Sequence, residues 1–245
     1  MKARTGYLTD LAYVHDVGFN WFATSAAKGL QDIFRRHNLR RGRIVELGCG
    51  SGTLARILLN KGYALRGIDH SKAMVALAKI NAPSGTFAVG SLWSSELPRC
   101  DIVLSVGECL NYEFTGANTP EKLRQLFGRV HAALTPGGLF AFDILCERQP
   151  QHPVQQYRFT EGPDWYVAVE RHERRTLITR RIVTFRKLGR HYRRSVEVHV
   201  QRRFRRQDIR KMLERTGFSV EFRKGYSHQN LGDGHTVVVA AKPKR

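Results

Sequence analysis

Short apolar runs and helix-spaced apolar stripes alternate along the chain from Arg43 to Asp143. Arg43–Leu47, Ala64–Asp69, Thr86–Val89, Asp101–Val106 and Leu139–Asp143 have the length and the Val, Ile, Leu and Phe content of buried strands. Between them Leu54, Ala55, Ile57 and Leu58, then Met74, Val75, Leu77 and Ala78, then Leu123, Leu126, Phe127, Val130, Ala133 and Leu134 recur every three or four positions, so each set lies on one face of a helix. Start signals agree. Ser71 stands where an N-cap is needed, and Thr119-Pro120-Glu121 supplies a cap, a proline at the first helical position and an early acid. Ahead of these, Phe22, Ala26, Leu30, Ile33 and Phe34 predict a helix from about Phe22 to His37. Strand alternating with helix predicts an α/β domain, a Rossmann-like doubly wound sheet with helices on both faces.

The texture changes after Asp143. Trp165–Glu173, Thr176–Lys187 and Tyr192–Arg203 predict three strands, the last two joined through Leu188-Gly189-Arg190 as a hairpin. Val196, Val198 and Val200 alternate with Glu197, His199 and Gln201, which gives one apolar face and one polar, solvated face. A helix over Asp208–Thr216 follows, with Ile209, Met212 and Leu213 buried and Gly217 as its stop, and then strands Phe218–Arg223 and Thr236–Ala241. The expected organisation is a helical cap over residues 1–42, a core over 43–146 and 207–245, and a small antiparallel sheet inserted at 147–206.

Most of the chemistry lies between the first strand and the first helix. Glu46-Leu47-Gly48-Cys49-Gly50-Ser51-Gly52-Thr53 places three alternating glycines at a strand-to-helix turn beside an acid. A dinucleotide fold spaces its glycines G-x-G-x-x-G and rests a pyrophosphate on the helix N-terminus. Here the third glycine of that pattern falls on Thr53, and Glu46 would repel a pyrophosphate. S-adenosylmethionine has no phosphate; its α-ammonium and sulfonium are both attracted by a carboxylate, directly or through water. Asp69 ends the second strand about twenty residues past the first glycine, where doubly wound folds place a ribose ligand. His70 or Met74 then flanks the adenine, and Cys49 is a small residue filling the loop.

These motifs, in this order, resemble those of the class I S-adenosylmethionine-dependent methyltransferases. Leu134-Thr135-Pro136-Gly137-Gly138 stands before the fifth strand as that family expects, and Gly107-Glu108-Cys109-Leu110-Asn111-Tyr112 follows the fourth. The resemblance runs over residues 40–146 and 207–241. It implies a seven-stranded sheet with an antiparallel last strand, S-adenosylmethionine as donor and S-adenosylhomocysteine as product. The cofactor residues it implies are Glu46, Gly48, Cys49, Gly50, Gly52, Asp69, His70, Met74, Ser91, Leu92 and Gly107. One position departs from the family. After strand three many members place an acid that accepts from the adenine amino group, whereas this chain has Gly90-Ser91-Leu92-Trp93, leaving a neutral hydroxyl and stacking side chains. In related proteins an aromatic N-terminal segment covers the sulfonium, which implies that Tyr7, Tyr13 or His15 lies near the methyl group.

An activated methyl group requires in-line alignment, exclusion of water and somewhere for a proton to go, rather than a fixed catalytic set. The catalytic candidates are Glu108, Tyr112 and His15; the substrate candidates are Tyr13, Asn111, Glu197 and His199. The expected reaction is methyl transfer to an oxygen or nitrogen of a small molecule. Two alternatives stand beside it: an RNA or protein methyltransferase docking through the inserted sheet, and a cofactor-binding module without catalysis, against which the pairing of Glu46 with Asp69 argues.

Composition and charge narrow these choices only partly. The chain has 245 residues, 42% hydrophobic, enough to bury one substantial core. No run approaches the ~18 apolar residues of a membrane span, and Met1–Tyr7 lacks a signal-peptide apolar region, so a cytoplasmic protein without membrane contact is expected. Cys49, Cys100, Cys109 and Cys146 are widely spaced and form no grouping with histidine, which argues against disulfides and against a metal site. Net charge is +20, and residues 158–206 hold fifteen arginines or lysines against five acids. The inserted sheet is therefore expected to be a cationic surface, suited to RNA or an acidic partner if those cations face solvent.

Overall fold

The computed structural model describes residues 6–114, 116, 118–147, 154–226 and 230–244. Helices α1 (Thr9–Gly18) and α2 (Trp21–Arg36) lead into the expected alternation: β1 (Arg43–Leu47), α3 (Thr53–Leu59), β2 (Ala64–Asp69), α4 (Lys72–Asn81), β3 (Thr86–Val89), β4 (Cys100–Ser105), α5 (Pro120–Ala133) and β5 (Leu134–Leu145). Four further strands follow, β6 (Val154–Gly162), β7 (Trp165–Glu173), β8 (Leu177–Leu188) and β9 (His191–Arg202). The chain then returns through α6 (Arg206–Arg215), β10 (Ser219–Arg223) and β11 (His235–Ala241).

The large sheet has the order β10-β11-β5-β4-β1-β2-β3, and β11 runs antiparallel to both its neighbours. Its central strands are buried on both faces and feed two cores by alternation. Ile44, Ile102, Leu104, Leu139, Ala141, Val237 and Val239 pack with Leu30 and Phe34 of α2, Leu54 and Leu58 of α3 and Val75 and Ala78 of α4. Val45, Val103, Phe140, Phe142 and Val238 face the other way, onto Leu123, Phe127 and Val130 of α5 and Ile209 and Leu213 of α6. Local signals act as their chemistry requires. Ser71 Oγ caps α4 by accepting from Met74 N at 3.1 Å, and Thr119 Oγ caps α5 by accepting from Lys122 N at 3.2 Å. Gly217, at φ 100, ends α6, with Phe218 N bonded to Leu213 O at 3.1 Å.

Three features differ from the sequence reading. Helix α1 carries too short an apolar pattern to be seen, because its buried face includes Asp10 beside Leu11, Ala12 and Val14. Strand β6 is also additional: Tyr157, Arg158, Phe159, Thr160 and Glu161 are all exposed on this edge strand, so no inward alternation marks it. Met212 is only partly buried, at the rim of the core that holds Ile209 and Leu213.

The second sheet, order β6-β7-β8-β9, reverses the expected polarity. Glu197, His199 and Gln201 are buried at 2%, 1% and 0% exposure, whereas Val196, Val198 and Val200 are half-buried on the opposite face. The cross-strand ladders Arg171↔Arg180↔His199 and Val169↔Ile182↔Glu197 point towards the core. Phe159↔Ala168↔Val183↔Val196 points away from it. Alternation establishes that a strand has two faces but not which one is covered. Here the polar face is covered, because it meets acids from elsewhere: Asp10 pairs with Arg193 and Arg186, and Glu108 with Arg180.

Candidate active site

The cleft opens where the strand order reverses, at the carboxyl ends of β1 and β4, the place where open α/β sheets bind ligands. It encloses about 1130 Å³, part of it open to solvent. Its floor is the loop after β1. Gly48, at φ 77, donates to Ile68 O at 2.7 Å and lies so close to Cys109 Sγ that no side chain fits there. Gly52, at φ 81, starts α3, and a Cβ on it would sit 2.9 Å from Ala78 Cα of α4. Glu46, Gly48, Cys49, Gly50, Ser51 and Thr53 line the floor.

Asp69 closes one side. Its carboxylate accepts from Gly50 N and from Ser71 N, each at 2.8 Å, which orients it into the cleft and ties the two loops together. Burial raises its pKa, and those two bonds oppose the rise. Glu46 is more isolated. It is 2% exposed, its Oε2 has no hydrogen-bond partner, and burial, with Asp69 adding to it, pushes its pKa up to about 8. A buried carboxyl oxygen lacking a donor fits a ligand that brings a cationic donor.

The roof comes from the N-terminal segment. Tyr7, His15, Phe19, Asn20, Phe22 and Ala23 line the cleft opposite the glycine loop. The segment is held from two sides. Ser71 Oγ donates to Tyr7 O at 2.6 Å from the core, and Leu8 N donates to Glu197 Oε1 at 2.9 Å on the inserted sheet. Asn81 adds a second tie, donating to Asp16 Oδ1 of α1 and to Ser51 O of the glycine loop, both at 2.9 Å. The Tyr7 and Tyr112 hydroxyls meet at 3.1 Å. Burial drives His15 down to about 4, so its imidazole is neutral.

The far wall is Gly90, Ser91, Leu92 and Trp93. Ser91 Oγ accepts from Trp93 N at 3.2 Å, and Arg129 braces the loop from behind, donating to Leu92 O at 3.4 Å, to Trp93 O at 2.7 Å and to Ser95 O.

The family model described as "Methyltransferase domain" matches residues 44–138, which span β1 to the start of β5. Residues 44–138 resemble a methyltransferase domain. Among curated proteins the chain is similar to a trans-aconitate 2-methyltransferase from Variovorax paradoxus (strain S110), 29% identical over 126 residues, 49% of this chain and 46% of that protein. The match spans about half the length of the first curated relatives. Among solved structures it is similar to an S-adenosylmethionine-dependent methyltransferase from Clostridium acetobutylicum ATCC 824, TM-score 0.80 at 18% identity, covering 95% of this chain and 97% of that one. It is also similar to a sugar N-methyltransferase from Streptoalloteichus sp ATCC 53650, TM-score 0.79 at 14% identity, covering 99% and 97%. At these identities the likeness is one of fold, the class I methyltransferase fold with its added sheet.

Around this methyltransferase core the sequence candidates fall into two groups. Glu46, Gly48, Cys49, Gly50, Asp69, His70, Met74, Ser91, Leu92, Gly107, Tyr112 and His15 all line the cleft. Gly52 does not, serving the α3–α4 contact instead. Tyr13 turns away, its hydroxyl donating to Asp164 Oδ2 at 2.8 Å with Arg186 3.8 Å over its ring. Asn111 is fully buried and clamps backbone, donating to Leu145 O at 3.0 Å and Arg202 O at 2.6 Å and accepting from Leu145 N at 2.9 Å. Glu197 and His199 pair at 3.1 Å behind the roof; the His199 ring packs against those of Tyr7, Tyr112 and Phe114, centroids 5.0, 5.7 and 5.4 Å away.

Glu108 is also directed away from the cleft. It sits at φ 61 between the lining residues Gly107 and Cys109, with Oε2 accepting from Gln201 Nε2 at 2.6 Å and Arg180 at 3.2 Å. Burial pulls its pKa up, but Arg180, His235 and Gln201 outweigh burial and hold it low, so it is ionised and joins the inserted sheet to the loop after β4. Asp143, fully buried at the end of β5, takes the amides of Gly107 and Glu108 at 2.8 Å each, Tyr226 OH at 2.7 Å and His235 Nε2 at 2.6 Å. Asp143, Tyr226, His235, Arg129 and Arg180 escaped the sequence reading because nothing in their local pattern distinguishes them. Phe19, Phe22 and Phe114, which line the cleft, carried the one readable signal, aromatic density in the segments flanking the core.

Proposed function

We propose that the protein is an S-adenosylmethionine-dependent methyltransferase acting on an oxygen or nitrogen of a small-molecule acceptor. The observation that carries this reading is the pair Glu46 and Asp69 at one switch-point cleft, the first with an unpartnered buried oxygen and the second already oriented by two amides. The residues fit the donor. Asp69 would hold the ribose hydroxyls, Glu46 the α-ammonium group, the loop Ser91–Trp93 the adenine edge and face, and Gly48 the close approach of backbone. Bound there, the donor supplies a methyl group on sulfonium that needs no further activation. The protein's contribution is then enclosure and alignment: α1 and Tyr7 cover the cleft, and Tyr112 and Phe114 shape the side opposite the glycine loop.

A small acceptor is supported by the size and roofing of the cleft, and by solved neighbours of the same architecture that are an amino pentose methyltransferase and a sugar N-methyltransferase. Calorimetry with S-adenosylmethionine tests the donor. Asp69→Ala is expected to weaken binding about 10- to 100-fold, the loss of one hydrogen bond to a charged group at about 1.5–3 kcal/mol. Equal binding by both proteins, or none by either, would sink the reading.

A further inference from the structure

We propose that the methyl acceptor is an amine, placed with its N–H towards the imidazole of His15, which lines the cleft. This rests on the methyltransferase reading above and narrows it to one acceptor chemistry.

The first observation is what the cleft lacks. The chain has 41 arginines and lysines, yet among the described residues none lines the cleft. A carboxylate or phosphate acceptor, carried into a roofed site, requires cationic or forked donors to replace its water. The one cation whose charge reaches Tyr7 and Tyr112 is Arg180, and its guanidinium is committed to Glu108 at 3.2 Å. The acids Glu46 and Asp69 do line the cleft, and burial holds the first largely protonated until a cation stands beside it. This electrostatic environment favours a neutral or cationic acceptor.

The second observation is the texture of the roof. Tyr7, Phe19, Phe22, Tyr112 and Phe114 present ring faces and edges to the space above the glycine loop. Aromatic faces carry negative charge density and attract ammonium groups, worth about 0.5–2 kcal/mol each. Such a wall stabilises the alkylammonium that forms when an amine is methylated, and has nothing comparable to offer an ether product.

The third is His15. It stands between Tyr7 and Phe19, ring centroids 5.3 and 6.5 Å away, and its buried Nδ1 has no hydrogen-bond partner. A buried polar atom left unpaired costs about 1–3 kcal/mol, which an incoming N–H recovers. The neutral imidazole offers one acceptor nitrogen, so it orients one N–H while the nitrogen lone pair stays free. Oxygen acceptors are poorly served by the same surroundings. A hydroxyl of ordinary acidity must lose its proton during transfer. The titratable groups lining the cleft are Glu46 and Asp69, which face the donor, His70, His15, held neutral by burial, and Tyr7, Cys49, Cys109 and Tyr112, all raised by burial, so none of the last five is a strong base in its prevailing form. A neutral amine needs none. It forms the new N–C bond with its own lone pair, leaves the C–S bonding pair on sulfur, and gives its surplus proton to water at the cleft mouth.

The experiment uses the full-length protein with labelled-methyl S-adenosylmethionine and the low-molecular-weight fraction of a cell extract. Label is expected in material that survives mild alkali and is retained by a cation exchanger at acid pH. Label released by alkali marks a methyl ester, and alkali-stable label that is not retained marks an ether; either overturns the proposal. No labelling, with S-adenosylmethionine bound in calorimetry, overturns the small-molecule acceptor and the amine with it; no binding overturns the donor reading instead. His15 is tested on the purified acceptor. His15→Phe is expected to raise KM for the acceptor about 5- to 100-fold, the equivalent of one unpaired buried group. His15→Gln restores an acceptor atom and most of the affinity, and both variants keep the wild-type Kd for S-adenosylmethionine. Equal losses in the two variants, or a parallel loss of donor affinity, would show that His15 only packs the roof.

Discussion

Glu46 is the side chain whose state differs most from its free form, and that difference is measurable. Its pKa near 8 means the empty cleft holds it largely protonated at neutral pH, and a cationic donor beside it favours the carboxylate. Binding of S-adenosylmethionine is therefore expected to release a proton between about pH 5 and 8, and calorimetry in buffers of different ionisation enthalpy reads it directly. Glu46→Gln removes the release. The linkage sign for stability follows: the folded state binds the extra proton, so this contribution is fully present below the unfolded pKa and fades as pH rises through 8. Melting points of the unliganded wild type and Glu46→Gln should diverge across that window, with wild type losing ground as pH rises. Glu46, Gly48 and Asp69 were legible in the sequence because strand, loop and second strand fix their relative positions within one βαβ unit. Glu108, Asn111 and Tyr13 lie near the same cleft but point elsewhere, since side-chain direction there depends on partners 34 to 151 residues away: Arg180 and Gln201, Leu145 and Arg202, and Asp164.

The central strands of the large sheet are recoverable from the apolar runs, because a strand buried on both faces writes itself into the sequence without reference to its neighbours. The small sheet is a harder object: its registers follow from alternation, but its polarity depends on what covers it. Two substitutions separate these contributions. Gly52→Ala places a Cβ 2.9 Å from Ala78 Cα at a backbone angle of φ 81, so α3 and α4 must part. A loss of about 2–3 kcal/mol is expected, from left-handed strain of about 1–3 kcal/mol plus the displaced contact, read as a lower melting point. Arg203→Ala acts in the other sheet. Arg203 is 4% exposed and donates to Glu173 Oε2 at 2.6 Å, while Arg171 reaches the second carboxylate oxygen at 2.6 Å. Removing one partner of a buried pair costs about 3–5 kcal/mol, and Arg171 holds the result at the lower end. Denaturant unfolding that leaves Arg203→Ala within 1 kcal/mol of wild type, a threshold below the ~3 kcal/mol floor for such pairs, would show that the covered polar face contributes little to stability.

A net charge of +20 suggests a nucleic-acid protein, and the distribution of that charge argues otherwise. The inserted segment was the strongest candidate surface, yet its arginines are drawn into internal pairing. Arg180 meets Glu108, Arg186 and Arg193 meet Asp10, Arg171 and Arg203 meet Glu173, Arg202 meets Glu113, and Arg175 and Arg205 share Glu147. Arg186 and Arg193 join the sheet to the N-terminal segment, and Arg180 and Arg202 join it to the stretch after β4, which is how a sheet with a polar inner face stays attached to an apolar core. The exposed remainder, including Arg158, Arg181, Lys187 and Arg194, stands beside the exposed rings of Tyr157, Phe159 and Tyr192 and still attracts polyanions. Association with bulk RNA is expected to be weak and lost steeply, about 10³-fold or more between 50 and 200 mM salt if six or more phosphates are neutralised. Methyl transfer into small-molecule extract should persist over the same salt range and survive ribonuclease treatment, because among the described residues no arginine or lysine lines the cleft proposed to perform it. If instead transfer and RNA association fall together with salt, and ribonuclease abolishes the labelled product, then the inserted sheet is a docking surface and its internal ion pairs are incidental to it.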